Sequence, residues 1–126
     1  SRDLMEVSRL LDRFFLLELP IILSNVGAPS EQIGAAGGWW HTQWSPSRQA
    51  SWAAGIFPLA LSKPYIESFF WSDFFDHEDT MPPRSGLLSV DGRSKPVLQK
   101  LLGVRKRFRQ PLGPLKLPPK SGGSRA

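Results

Sequence analysis

The chain has 126 residues, 40% hydrophobic and 21% charged, a globular composition that fills one ordinary domain or less and excludes disorder over its bulk. It has no cysteine and two histidines, which excludes disulfides, thiol catalysis and thiolate metal sites and gives no reason to expect a metal or other cofactor; no apolar run reaches the ~18 residues that span a bilayer. The net charge of +5 resides in the C-terminal segment: residues 104–126 carry seven basic side chains and no acid, leaving nine basic and eleven acidic residues before them. The body is therefore not a nucleic-acid or membrane-surface binder by charge.

In chain order, Leu4, Val7, Leu10, Leu11, Phe14 and Phe15 alternate with Arg9, Asp12 and Arg13 at the i, i+3, i+4, i+7 spacing of an amphipathic helix, predicted over residues 4–17. A chain that opens on such a pattern without an initiator Met is expected to be a piece of a longer protein. Pro20 ends the helix, and the unbroken apolar run 21–23 predicts a short strand covered on both faces. That strand runs out at two small polar residues, Ser24 and Asn25, and turns over at Val26, Gly27, Ala28 and Pro29.

A long loop rich in Gly and Trp follows. Ser45 is the expected N-cap of a second helix, with Pro46 at its first position, Pro58 a kink and Pro64 its limit. The aromatic, β-favouring run 65–71 predicts a second strand. An acidic loop leads to "GLLSVDG", an extended piece closed by an Asp91–Gly92 turn, and the spacing of Val97, Leu98, Leu101, Leu102 and Phe108 after Pro96 predicts a third helix. Residues 1–108 form the folded portion, and the Pro-, Gly- and Ser-rich segment 109–126 is expected to be a flexible basic tail.

Helix, strand, helix, strand, helix is the order of parallel strands joined by right-handed crossovers. Two strands cannot bury three amphipathic helices and leave two open edges, so further strands are expected from sequence preceding this chain, and the 126 residues alone are expected to be poorly stable.

The strings "LDRFFLLELPIILSNVGAPSE" and "YIESFFWSDFFDHEDTMPPRSGLLSVDGRSKPVLQKLL" resemble the seventh and eighth strand-helix units of clan A glycoside hydrolases, most closely the family 10 xylanase-like group. The second resemblance runs through Trp71, Asp73, Asp76, Gly86, Leu87, Leu88, Asp91, Gly92, Lys95 and Pro96. It implies an α/β fold, the C-terminal fragment of a (β/α)8 TIM barrel with two parallel strands and three flanking helices. The implied site lies at the carboxyl ends of the strands, and the implied partners are a polysaccharide or oligosaccharide such as a β-glycan or xylan, together with the rest of the barrel. It also implies an extracellular or periplasmic protein.

One position departs from the pattern. Matching "ILSNVG" to the family puts Asn25 where the nucleophilic glutamate stands. A retaining glycosidase needs two carboxyl groups roughly 5 Å apart, and a neutral amide is a poor nucleophile; the acid/base carboxylate belongs to the fourth strand, outside this chain. The function implied is a glycoside hydrolase, with a catalytically inactive carbohydrate-binding barrel as the alternative.

Asn25 either hydrogen-bonds a sugar or a water at the barrel mouth or satisfies backbone groups at the strand end. Trp39, Trp40 and Trp44, crowded into one glycine-flanked loop, suit stacking on sugar rings, with pinning of the loop as the other use. His41 is either a donor to a sugar hydroxyl or structural. Trp71, by resemblance, floors the sugar site. Asp76 is the best functional candidate of the acidic run that includes Asp73, Glu78 and Asp79, whether it orients Arg84 or a tryptophan, binds a hydroxyl or acts as a base. Glu67 falls on the same strand face as Phe69 and Trp71 by alternation and needs a partner if buried. Glu31 is near the right loop to serve as a displaced carboxylate, with a solvated loop glutamate as the other reading.

Overall fold

The computed structural model describes residues 3–35 and 38–109; of the expected tail 109–126, Arg109 is instead the last residue of a helix and the rest lies outside the described residues. The elements are α1 (Leu4–Phe15), β1 (Ile21–Val26), α2 (Pro46–Leu61), β2 (Ile66–Trp71) and α3 (Pro96–Arg109), with β1 and β2 parallel. This is the anticipated α/β order.

α1 starts where the Asp3 carboxylate accepts the Met5 and Glu6 amides at 2.9 and 3.1 Å, an N-cap that satisfies two otherwise orphaned donors. It stops two residues earlier than the periodicity predicts, because residues 16–18 form a turn and Glu18 takes a left-handed φ of 54°. Ser45 caps α2 by accepting the Arg48 amide at 3.2 Å. Pro58 does not end that helix, which continues to Leu61.

The core is a layer between the two strands and the helices. Leu11, Ala60 and Ile66 form one buried cluster, contacted by Ile21, Leu23 and Phe69; Ala28, Trp44, Trp52 and Ile56 form another, contacted by Val26 and Trp71. A third joins Ala50 and Ala53 of α2 to Val97 of α3. These positions recur at helical spacing, which makes burial of a stripe the main stabilising term of each helix.

The sheet register departs from simple alternation in both strands. Ile21 pairs with Ile66 but Ile22 with Ser68, and Leu23 pairs with Phe69 but Val26 with Trp71. Each strand thus carries one extra residue, the signature of a bulge, which changes the side on which later residues fall. The consequence is that Ile21, Leu23 and Val26, and across from them Ile66, Phe69 and Trp71, all contact the helical core. Ser24, Asn25 and Glu67 are exposed, as are Ile22 (54%) and Phe70 (55%).

β1 runs through Ser24 and Asn25 to Val26, because pairing with β2 continues past the bulge. One expectation is corrected here. Glu67 sits in the other register shift and is exposed, so it does not share the side of Phe69 and Trp71, which contact the helical core.

At the amino ends of the strands, the Asp12 carboxylate accepts from Lys63 Nζ at 2.5 Å and Tyr65 Oη at 2.6 Å. Chiefly through the Lys63 hydrogen bond, then that of Tyr65, the Asp12 pKa is held below 3.8; the same bond raises Lys63 above 10.5. By linkage, the stability this cluster gives is present between those limits. It is lost as pH falls through the depressed Asp12 pKa, and again as pH rises through the elevated Lys63 pKa. Denaturation midpoints measured against pH should show both limbs reduced in Asp12→Asn.

Gly103 lies within α3, and a Cβ built there meets nothing within 4 Å. Gly103→Ala is therefore expected to stabilise the fold by about 0.5–1 kcal/mol, from helix propensity alone. A shift of the denaturant midpoint at unchanged slope is the readout.

Candidate functional site

The carboxyl ends of β1 and β2 open into two long loops, and a buried polar knot ties these loops together. Its centre is the carbonyl of Arg84, a residue held at a left-handed φ of 53°. Four donors converge on that oxygen: the Ser30 amide at 3.1 Å, Ser30 Oγ at 2.9 Å, Lys95 Nζ at 2.9 Å and Gln49 Nε2 at 3.3 Å. Gln49 also donates to the Ala28 carbonyl at 2.8 Å. One acceptor thus joins the loop after β1, the loop after β2, the first turns of α2 and the residue before α3.

Lys95 is the electrostatic half of the knot. Its ammonium lies 2.6 Å from Asp76 Oδ2, with only 9% and 5% of the two side chains exposed, and donates to Ser30 Oγ at 3.0 Å. The other Asp76 oxygen accepts the Gly86 amide at 2.9 Å. Burial pulls the Lys95 pKa below its ordinary value, and the Asp76 hydrogen bond only partly opposes this; desolvation is the larger effect, as is usual for buried ion pairs. Asp76 is thereby consumed by structure. It is 7% exposed and its partners are Lys95 and the Gly86 amide, not Arg84.

The segment after β2 is braced further. Trp71 Nε1 donates to the Ser85 carbonyl at 2.8 Å and Ser85 Oγ to Asp73 Oδ2 at 2.6 Å. The expected extended piece is present as bridges of Leu88 to Phe75 and Ser94, and the Asp91–Gly92 turn closes with the Gly92 amide on the Ser89 carbonyl. Gly92 has a φ of 80°, which favours glycine there.

Between the two loops lies a shallow cleft of about 650 Å³ whose walls include Ser30, Glu31, Trp44, Arg84 and Asp91. Arg84 Nε and Glu31 Oε2 face each other at 3.7 Å, both partly exposed. Of the candidate site residues read from sequence, Glu31, Trp44 and Asp76 reach this cleft, whereas Asn25, Trp40, His41 and Trp71 are not among its walls.

The tryptophans divide by role. Trp44 is 4% exposed, packs in the α2 core cluster and donates from Nε1 to the Gly38 carbonyl at 3.2 Å; its indole pins the loop, which corrects the expectation of a stacking surface. Trp40 is half-buried and stacks on Trp44 at 6.2 Å with 23° between planes, beneath the Arg48 guanidinium at 5.8 Å. His41 lies beside it at 4.7 Å, itself exposed and at a φ of 63°. Trp39 is 63% exposed. Trp71 meets Trp52 edge-on at 6.4 Å, on the helical side of the sheet.

Asn25 is exposed at the carboxyl end of β1 because Val26 takes the core position after the bulge. Sequence reasoning missed Ser30 and Gln49. Gln49 had a readable signal, being polar on the stripe that includes Ala53, Ile56 and Ala60; Ser30 had none, since its partners are 54 and 65 residues away. Among the described residues no group of three or more His, Asp or Glu is placed to hold a metal ion, and no helix is long and apolar enough to cross a membrane.

Parallel strands, helices on one side and long loops at the carboxyl strand ends give this chain the α/β fold of a TIM-barrel fragment. The solved structures similar to it include the β-glucuronidase of Faecalibacterium prausnitzii (TM-score 0.66, 20% identity, covering 90% of this chain and 20% of that one). Others are the β-glucuronidase of Bifidobacterium dentium complexed with coumarin-3-O-glucuronide (0.62, 21%, 86% and 18%) and that of Lactobacillus rhamnosus (0.60, 13%, 86% and 19%). The chain spans about one fifth of the length of these proteins. No protein-family model and no curated protein matches the sequence.

Proposed function

We propose that this chain supplies the seventh and eighth strand-helix units of a glycoside-hydrolase-type barrel, and that the protein containing it acts on an O-glycosidic bond. The observation that carries the reading is the register shift that leaves Asn25 exposed at the carboxyl end of β1, at the end of the strands where barrels of this kind do their chemistry. The exposed sheet face, with Ile22 and Phe70 more than half accessible, supports a place for further strands of the barrel.

In this reading Asn25 is a hydrogen-bonding group for the sugar, and its amide supplies a donor and an acceptor without charge. Trp40 and His41 form the outer, loop-borne part of the binding surface, with Trp71 behind the strand end. The chain offers no carboxylate at the Asn25 position, so the reacting carboxylates come from other strands. The names of the similar structures point to β-glucuronides, and the sequence resemblance points to xylan; both are β-linked glycosides.

The second reading, a carbohydrate-binding barrel without hydrolysis, is favoured by one observation, the amide at the nucleophile position. The two are separated by assaying the protein that contains this chain with aryl β-glucuronides and xylo-oligosaccharides, for turnover and for binding. The first reading expects hydrolysis of one of them, with Asn25→Ala lowering kcat/KM by about 10- to 100-fold, the value of a hydrogen bond made to the reacting sugar. Binding without turnover supports the second reading, and neither binding nor turnover overturns both.

A further inference from the structure

A second concavity, about 310 Å³, lies on the outer side of the helical layer, between α2 and α3. Ala54 and Pro58, one turn apart on α2, form one wall; Lys100, Val104, Arg107 and Phe108 of α3 form the other. Their spacing of four, three and one puts these α3 residues on a single helix face. Val104 is 4% exposed and belongs to the floor, while Phe108 is 56% exposed and stands beside it. Lys100 and Arg107 are exposed at the rim, and no carboxylate belongs to the lining. An apolar slot with two uncompensated cations at its edge is complementary to an amphipathic anion.

Three features narrow the occupant. Both walls come from this chain. Its volume is at the lower bound of small-molecule sites, roughly 300 Å³. The chain's own segment beyond 109 carries Lys116, Lys120 and Arg125 and no acidic side chain, so its charge repels that of the rim.

We propose that the α2–α3 groove is a binding site for a small lipophilic carboxylate, an alkyl or aryl acid whose apolar part lies on Ala54, Pro58, Val104 and Phe108 and whose carboxylate pairs with Lys100 and Arg107. Guanidinium and ammonium at the rim bind the anion in partial water, so apolar burial supplies affinity and charge supplies selection.

The test is calorimetric titration of the protein containing this chain with octanoate, 1-octanol and octylammonium. Octanoate is expected to bind, and octylammonium at least about tenfold more weakly. The variant Lys100→Gln/Arg107→Gln, at two exposed positions that tolerate change, should weaken octanoate about tenfold or more and leave 1-octanol unaltered. Ala54→Phe, which fills the slot, should remove both ligands at an unchanged circular dichroism spectrum. Equal affinity for octanoate and octylammonium, no effect of the double variant, or no octanoate binding up to about 10 mM overturns the proposal. The groove stands apart from the strand ends, so this outcome is independent of whether the protein cleaves glycosides.

Discussion

Lys95→Met is expected to destabilise the fold by about 3–5 kcal/mol, the range found when one partner of a buried ion pair is removed. The pair is 2.6 Å long with both side chains nearly inaccessible, so the substitution strands the Asp76 carboxylate in a poorly solvated site. It also takes donors from Ser30 Oγ and the Arg84 carbonyl. Because folded domains are stable by only about 5–15 kcal/mol, this loss should be visible as a collapse of the denaturant midpoint, and in a small domain as failure to fold. Adding Asp76→Asn, which removes the stranded charge while keeping an acceptor for the Gly86 amide, should recover about 1 kcal/mol or more in a double-mutant cycle. Additive losses would show that Lys95 acts through its packing and not through the charge of Asp76.

The same residue carries a pH signature. Its pKa is lowered from 10.5 by burial, so between that depressed value and 10.5 the unfolded chain holds a proton the folded chain has released. In that window the contribution of Lys95 to stability rises with pH. The Lys63 contribution falls only above 10.5, so the two lysines act with opposite sign in adjacent windows. Subtracting the stability profile of the Lys95→Met protein from that of the parent isolates the first.

Gly86→Ala is expected to cost at least about 3 kcal/mol, at or beyond the upper end of ordinary overpacking. An added Cβ would lie 2.5 Å from the Asp76 amide nitrogen and 2.5 Å from the Phe75 carbonyl carbon. Both are backbone atoms, which cannot swing aside as a side chain does. Relief requires the two halves of the loop after β2 to separate, which breaks the hydrogen bond of Asp76 to the Gly86 amide and shifts the Lys95 partner with it. The contrast with Gly103, where the same methyl stabilises, makes the pair a test of close approach against helix propensity. If Gly86→Ala matched Gly103→Ala in sign, the tight apposition of these loop segments would be wrong.

For function, both substitutions act on the frame that sets the loops at the strand ends. In the proposed glycosidase, partial loosening of the knot should lower kcat/KM before the fold is lost, since a displacement of about 1 Å can cost 100-fold in rate.

The elements were legible because their causes are local. Ser45 and Pro46 mark a helix start, apolar spacing marks the buried stripes, and Pro20 and Pro64 mark the gaps between helices and strands. The register was not legible. The extra residue in each strand follows from how β1 and β2 pair and pack on α2, and it decided that Val26 contacts the helical core while Asn25 and Glu67 are exposed. Trp44 sits in a core cluster and Asp76 in a buried ion pair that no local pattern announces, because burial and pairing depend on residues distant in sequence.

From composition and periodicity alone the chain is a cysteine-free α/β segment with two parallel strands, three amphipathic helices and a neutral Asn25 at a strand end, since these depend on residue chemistry and short spacings. Only the tertiary structure decided that Lys95, Asp76, Ser30, Gln49 and the Arg84 carbonyl form one knot, and that three indoles in one loop have three different exposures. Contacts across 54 or 65 residues are fixed by the packing of whole elements, and no local pattern encodes them.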